Sequence, residues 1–117
     1  DAGSVERNTV TFSAAVSACE NGAQYEHALD LLASMARARV QPNTITLNSA
    51  ISACGKAGEW QRALALLADF AERDEAMLDS GSFYISIGAC ARAGRWLEAM
   101  SLLWRMLDRR LLPTGIG

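Results

Sequence analysis

The sequence contains few of the residues that enzymes use for catalysis. Its 117 residues include one histidine, two prolines and three cysteines, and no C-x-x-C is present. It also has no glycine-rich phosphate loop, no H-E-x-x-H and no arrangement of serine, histidine and aspartate typical of a hydrolase. We therefore expect no enzymatic activity, no cofactor and no metal site.

Long apolar runs and an excess of charge of one sign are absent as well. No stretch of about 20 apolar residues occurs, so no segment is expected to span a membrane. The net charge of −2 argues against a strongly basic nucleic-acid surface. The chain begins with Asp1 and carries no recognisable targeting segment, which suggests a piece of a longer protein. Half of its residues are hydrophobic, enough for one domain with an apolar core.

What the sequence does contain is a helical pattern centred on residues 43–67. Two apolar stripes have the i, i+3, i+4, i+7 spacing of a helix face: Leu47, Ala50, Ile51 and Cys54, then Ala63, Leu66, Leu67 and Phe70. Asn43 follows Pro42 and suits a helix N-cap, and residues 55–58 supply a glycine-containing turn between the stripes. The pattern predicts two antiparallel helices with an apolar seam between them.

The same hairpin occurs three times along the chain. Cys19, Cys54 and Cys90 end the first stripe of each copy, and they are 35 and 36 residues apart. A fixed period of this length is typical of a solenoid, in which each hairpin buries apolar surface against the next. The expected fold class is all-α: an α-solenoid of three stacked antiparallel helix-turn-helix hairpins, with 35–36-residue repeats.

The period divides the chain into consecutive units. Residues 1–8 match the end of a preceding repeat, and residues 115–117 form a tail. The three repeats span residues 9–43, 44–79 and 80–114. The second repeat has a one-residue insertion and lacks the proline of the first repeat's linker. We therefore expect its second helix to continue or its loop to bulge.

Equivalent positions in the three repeats predict which side chains are buried. The three cysteines share one position, where a small buried residue is expected rather than a reactive thiol. Tyr25, Trp60 and Trp96 begin the second helices and are expected in the core between repeats. Exposed apolar surface, which favours self-association, is expected around three residues near the end of the chain: Trp104, Leu107 and Leu111.

The linker and the turn carry a more specific signal than the period. Residues 42–48 read P-N-T-I-T-L-N and residues 54–60 read C-G-K-A-G-E-W, with partial matches in the first and third repeats. These segments resemble the P-D-x-V-T-Y-N and C-K-A-G signatures of pentatricopeptide repeats, over about residues 5–114. Tetratricopeptide repeats, which bind proteins, have a shorter period of about 34 residues.

The resemblance implies binding of single-stranded RNA, one base per repeat, in a groove lined by the first helices. Two positions per repeat carry most of the base recognition in this family. They imply three pairs here: Ser13 with Asn43, Asn48 with Asp79, and Tyr84 with Thr114. We call the first two of these the first pair and the second pair. By the family's pattern the first pair favours a purine, adenine above all, and the second pair favours uracil.

Four further residues match positions that contact RNA in this family. Val10 and Ile45 resemble the residues that wedge between neighbouring bases. Lys56 and Arg92 match a basic position that approaches phosphate.

The third repeat departs furthest from the family pattern. Gly81 replaces the wedge residue, and Tyr84 is not a usual base-recognition residue. We therefore expect Tyr84 to stack on a base without selecting it.

The resemblance also implies a process and a compartment. The expected role is RNA processing, stability, editing or translation in a chloroplast or mitochondrion, with single-stranded RNA and also other proteins as partners. The alternative is a tetratricopeptide-like scaffold that binds proteins and no RNA. Salt-dependent binding of single-stranded RNA separates the two hypotheses.

Overall fold

The computed structural model describes residues 8–21 and 24–108, and all regular structure in these ranges is helical. Six α-helices follow one another: α1 (Thr9–Asn21), α2 (Tyr25–Arg37), α3 (Thr44–Lys56), α4 (Trp60–Arg73), α5 (Ser80–Arg92) and α6 (Trp96–Asp108). No strand occurs in the described ranges. Each predicted hairpin has its two helices, so the all-α fold class is confirmed.

The first helix of every hairpin begins at an equivalent capping residue. The Asn43 side chain accepts the N–H of Thr46 at 2.9 Å, and the Thr46 hydroxyl accepts the N–H of Asn43 at 3.2 Å. Asp79 and Ser82 form the same capping box, with the same two distances, at the start of α5. Asn8 caps α1 in a similar way at 3.0 Å. These contacts satisfy amides that a helix start leaves unpaired, and so determine where each first helix begins.

The turns that follow α3 and α5 depend on a left-handed glycine. Gly58 and Gly94 have φ of 82° and 76°. The N–H of the residue after each glycine donates to the carbonyl of Cys54 or Cys90 at 2.8 Å. This is a Schellman-type helix end, which glycine adopts at the lowest cost. The predicted glycine turns therefore allow α4 and α6 to fold back on α3 and α5.

The helices form two layers. In one layer α1 packs beside α3, and α3 beside α5, while each second helix packs on the first helix of its own hairpin. The second helices α2 and α4 also contact the first helix of the following hairpin. The largest buried cluster includes Leu47, Ile51, Cys54, Ala63, Leu67, Phe83, Cys90 and Leu102. This stacking of successive hairpins confirms the α-solenoid.

The extra residue of the second repeat is accommodated before the capping residue of α5. After α4 the chain forms a short 3-10 helix, Glu75–Met77. The Thr44 hydroxyl donates to the Met77 carbonyl at 2.6 Å. In the first repeat the Thr9 hydroxyl donates to the Gln41 carbonyl at 2.7 Å. Both carbonyls lie two residues before the next capping residue, so this contact is the same in the two repeats. The extra residue therefore makes the loop bulge between α4 and this contact, and it does not move the capping residue relative to the contact.

One of the three aromatic residues expected in the core is exposed. Tyr25 and Trp60 pack against the core. In contrast, 65% of Trp96 is exposed to solvent. The prediction of burial is wrong for Trp96, because within the described ranges no helix packs on the far side of α6.

The last described helix presents a continuous apolar surface to solvent. Five exposed residues form this surface, which we call the α6 face: Trp96, Met100, Leu103, Trp104 and Leu107. Trp104 and Leu107 are the two whose exposure the sequence predicts. Leu111, expected with them, lies outside the described residues.

Candidate nucleic-acid interface

The second pair comes together where the second and third hairpins meet. Asn48 lies on α3 and Asp79 caps α5, and 31 positions separate them in the chain. The Asn48 Nδ2 donates to the Asp79 Oδ1 at 3.3 Å. The packing of α3 against α5 thus places an amide donor next to a carboxylate.

A buried hydroxyl connects both members of the second pair. Ser82 is fully buried, and its Oγ donates to the Asn48 Oδ1 at 2.6 Å. The same Oγ accepts the N–H of Asp79 at 3.2 Å. The sequence pattern does not single out Ser82 as a functional residue. The one available signal is its place three residues after a capping residue.

The carboxylate of the second pair is held in its ionised form. Burial acts to raise the pKa of Asp79, but hydrogen bonds from the Ser82 N–H and the Asn48 amide, with others, outweigh it and lower the pKa below its usual value. Asp79 is therefore negatively charged at neutral pH. An ionised carboxylate accepts hydrogen bonds and donates none.

The first pair has a related arrangement with different chemistry. Ser13 is buried on α1, and its Oγ lies 2.7 Å from the Thr46 Oγ1 and 3.5 Å from the Asn43 Oδ1. The Asn43 Oδ1 accepts both the N–H and the hydroxyl of Thr46, at 2.9 and 2.8 Å. Since its carbonyl oxygen is engaged in this way, exposed Asn43 offers its amide hydrogens to a ligand.

Exposed apolar side chains occupy the predicted wedge positions of the first two repeats. Val10 and Ile45 are 76% and 62% exposed. The equivalent residue of the third repeat is Gly81, where a Cβ would lie 3.1 Å from the Asp79 Oδ1 and 3.3 Å from the Asn48 Nδ2. This position therefore adjoins the second pair, and glycine leaves the pair open on that side.

The third predicted pair is only half described. Tyr84 lies on α5 and is 49% exposed. Its predicted partner, Thr114, lies outside the described residues. The structure thus brings together the members of two of the three predicted pairs.

The two basic residues predicted near phosphate have different surroundings. Lys56 pairs with Glu20 at 3.5 Å, and the Ser52 hydroxyl donates to the same carboxylate at 2.9 Å. Arg92 instead approaches Gly55, the residue equivalent to Glu20, and no carboxylate of the described ranges lies within ion-pairing distance of it. Glu20, which the sequence pattern does not single out, thus offsets the charge of Lys56 but not that of Arg92.

The buried cysteines belong to the core. Cys54 and Cys90 are buried free thiols. Burial raises the pKa of Cys54 to about 11, and it also raises the pKa of Cys90. The reactive thiolate is therefore rare at both positions at neutral pH.

Metal sites and membrane-spanning helices are both absent from residues 8–21 and 24–108. No group of histidine, cysteine, aspartate and glutamate side chains there is placed to hold a metal ion. None of the helices in these ranges combines the length and the apolar character needed to cross a bilayer.

Two family models match the sequence. One, described as a pentatricopeptide repeat domain, matches residues 1–57. The other, described as a PPR repeat, matches residues 45–74 and 87–111. Among curated proteins, none matches the sequence significantly.

Proposed function

Because this chain belongs to the pentatricopeptide repeat family, we propose that it binds single-stranded RNA and recognises one base at each pair. Proteins of this family generally bind RNA in organelles. The proposed role is accordingly RNA processing, stability, editing or translation in a chloroplast or mitochondrion. The observation that carries the proposal is the contact between Asn48 and Asp79, which presents a donor and an acceptor side by side between two hairpins.

The second pair has the hydrogen-bonding groups that uracil requires. Uracil presents an N3–H donor between two carbonyl acceptors. The Asp79 carboxylate can accept the N3–H, and the Asn48 amide, whose Oδ1 is bound by Ser82, can donate to a neighbouring carbonyl. In the same placement cytosine would present N3, which carries no hydrogen, to the carboxylate and would lose this hydrogen bond. Uracil is therefore favoured over cytosine.

The first pair presents a donor where the second pair presents an acceptor. The Asn43 carbonyl oxygen is engaged by Thr46, so the amide hydrogens are available to N1 of adenine, which accepts. Guanine carries a hydrogen on N1 and is disfavoured. Ser13 is shorter than Asn48 at the equivalent position, which leaves more room for a purine. These features support adenine at the first pair.

Two other groups supply affinity that does not depend on the base. Val10 and Ile45 expose apolar surface on which the faces of bases can pack. Arg92 can approach phosphate with its full charge, whereas Lys56 contributes less because Glu20 pairs with it. Phosphate contacts of this kind weaken as salt concentration rises.

Converting each capping residue to the other tests the proposal. Asp79→Asn replaces an acceptor with a donor and should move the preference of the second pair from uracil to cytosine. Asn43→Asp does the reverse and should move the first pair from adenine to guanine. A change of roughly five- to 150-fold is expected, as for a base contact worth about 1–3 kcal/mol. Titration of the 117-residue chain with short RNAs that differ at one base, followed by NMR, measures it.

The same titrations contain their controls. Both variants should keep their helix starts, since asparagine and aspartate cap helices equally well. Arg92→Ala should weaken all of these RNAs alike and reduce the salt dependence of binding. An unchanged base preference in both capping variants would show that the pairs do not read bases. Absence of RNA binding at low salt would overturn the proposal altogether.

The α6 face favours a second candidate function, protein binding. Its five apolar residues are exposed together on one helix, and surfaces of this kind often contact another protein. A chain that bound a protein through this face and bound no single-stranded RNA at low salt would be a scaffold.

A further inference from the structure

The hydrogen bonds of the second pair form a closed ring. The Asn48 Nδ2 donates to the Asp79 Oδ1 at 3.3 Å, and the Ser82 Oγ donates to the Asn48 Oδ1 at 2.6 Å. The ring closes through the Ser82 N–H, which donates to the Asp79 Oδ1 at 2.9 Å. Ser82 contributes two of the three contacts and is fully buried.

This ring permits one orientation of the Asn48 amide. Ionised Asp79 only accepts hydrogen bonds, so the Nδ2 end of Asn48 must face it. The Ser82 Oγ accepts the N–H of Asp79 at 3.2 Å, and its own hydrogen has two acceptors within reach, of which the Asn48 Oδ1 at 2.6 Å is closer than the Asp79 Oδ1 at 3.2 Å. Of the two contacts that hold the amide, the one from Ser82 is the shorter by 0.7 Å. Loss of the Ser82 hydroxyl would leave only the longer and weaker contact.

We propose that Ser82 is a positioning residue, whose hydroxyl holds the Asn48 amide with one hydrogen directed to the bound base and thereby sets the selectivity of the second pair for uracil. This inference rests on the RNA binding proposed above. Thr46 has the equivalent role in the first pair, where its Oγ1 lies 2.7 Å from the Ser13 Oγ and donates to the Asn43 Oδ1 at 2.8 Å. Each pair therefore depends on a hydroxyl of the following hairpin, three residues after the capping residue.

Three variants separate the hydroxyl from general effects of substitution. Ser82→Ala removes the hydroxyl. Ser82→Thr keeps it, and the equivalent position of the second repeat already holds a threonine, Thr46. Ser86→Ala is the matched control, because Ser86 is also fully buried on α5 but donates to the Ser82 carbonyl, at 2.9 Å.

Binding of RNAs with uracil or cytosine at the base read by the second pair measures the effect. The preference for uracil should fall roughly three- to tenfold in Ser82→Ala, the net effect of one hydrogen bond. It should stay unchanged in Ser82→Thr and Ser86→Ala. Without RNA, the NMR signals of the Asn48 side-chain amide should shift and broaden in Ser82→Ala and keep their positions in Ser86→Ala.

The outcomes distinguish this inference from the proposed function. If folded Ser82→Ala kept its full preference for uracil, the inference would be wrong, even if the Asn48 signals moved. If the unaltered chain bound none of these RNAs, the proposed function itself would fail. Should Ser82→Ala not fold, Thr46→Val tests the first pair, because valine keeps the shape of threonine without its hydroxyl. A weakened preference for adenine would then support the inference, and an unchanged preference would overturn it.

Discussion

Among single residues, three glycines of the first helices and their turns have different surroundings. Gly55 on α3 lies so close to α5 that a Cβ would come within 2.8 Å of the Ala89 Cβ. Gly58 has φ of 82° with open space around it. Gly88, inside α5, has no neighbour within 4 Å of its Cβ position and no positive φ. The first is needed for close packing, the second for the turn, and the third for neither.

We therefore expect alanine to have three different effects at these glycines. Gly55→Ala should lower the free energy of unfolding by about 1–3 kcal/mol through overpacking against Ala89. Gly58→Ala should lower it by about 1–2 kcal/mol, because alanine disfavours a left-handed backbone. Gly88→Ala should raise it by about 0.5–1 kcal/mol, since alanine suits a helix interior better. Urea unfolding measures all three changes. A stabilising effect of Gly55→Ala would mean that α3 and α5 do not pack as described.

Between helices of neighbouring hairpins, arginine side chains stack on aromatic rings. The Arg62 guanidinium on α4 lies 5.5 Å from the ring centre of Tyr25 on α2. The Arg95 guanidinium, just before α6, lies 4.6 Å from the ring centre of Trp60 on α4. Cation–π contacts at such distances attract even at exposed sites. They add a specific contact between neighbouring hairpins, beside the packing of α2 on α3 and of α4 on α5.

The glutamates that accompany these arginines are placed differently in the two hairpins. Arg62 pairs with Glu59 at 3.3 Å, and Arg95 pairs with Glu98 at 3.0 Å. Glu59 and Arg95 hold equivalent repeat positions, as do Arg62 and Glu98, so the order of the charges is reversed. In both hairpins the arginine still lies over the aromatic ring of the preceding hairpin. The cation–π contact, rather than the order of charges, is the shared feature.

A double-mutant cycle tests the contact between Arg95 and Trp60. Arg95→Ala and Trp60→Leu, made singly and together, should show a coupling of about 0.5–1 kcal/mol in the free energy of unfolding. Glu98→Gln, which removes the exposed ion pair and keeps the cation, should change stability little. If the effects of the two substitutions were simply additive, the ring and the guanidinium would not interact in solution.

In the molecule as a whole, the α6 face resembles a surface that the other hairpins bury. The α4 residues equivalent to four of its members are buried or partly buried: Trp60, Leu64, Leu67 and Ala71. Trp104 is different, because its equivalents Ala33 and Ala68 are exposed even though a following hairpin is present. The α6 face therefore exposes more apolar surface than stacking between repeats requires.

Self-association through the α6 face is the expected consequence. The mass measured by analytical ultracentrifugation should rise with protein concentration, because pairing of two such faces removes apolar surface from water. Trp104→Glu should suppress this rise and leave the helix content unchanged. Ala68→Glu is the matched control, since it adds the same charge at the equivalent exposed position of α4 and should have no effect. A monomer at every concentration, or an equal effect of both substitutions, would contradict this prediction.

The helices could be predicted because their signals act over a few residues. Apolar stripes, the capping residues Asn43 and Asp79, and the glycine of each turn all lie within or next to the helix that they define. Repetition of these signals after 35 and 36 residues then predicts stacking. The exposure of Trp96 could not be predicted in this way. Burial depends on what packs against a helix, and the pattern within α6 contains no information about that.

The helices, their order and the positions of the base-reading candidates follow from the amino-acid sequence. The contacts of Ser82 with the Asn48 amide and of Glu20 with Lys56 arise from the three-dimensional packing. These partners are 34 and 36 positions apart in the chain. Whether their side chains meet depends on the spacing and rotation of neighbouring first helices. Both are set by packing of the whole stack, including the close approach at Gly55, and a difference of one ångström decides whether a hydrogen bond forms.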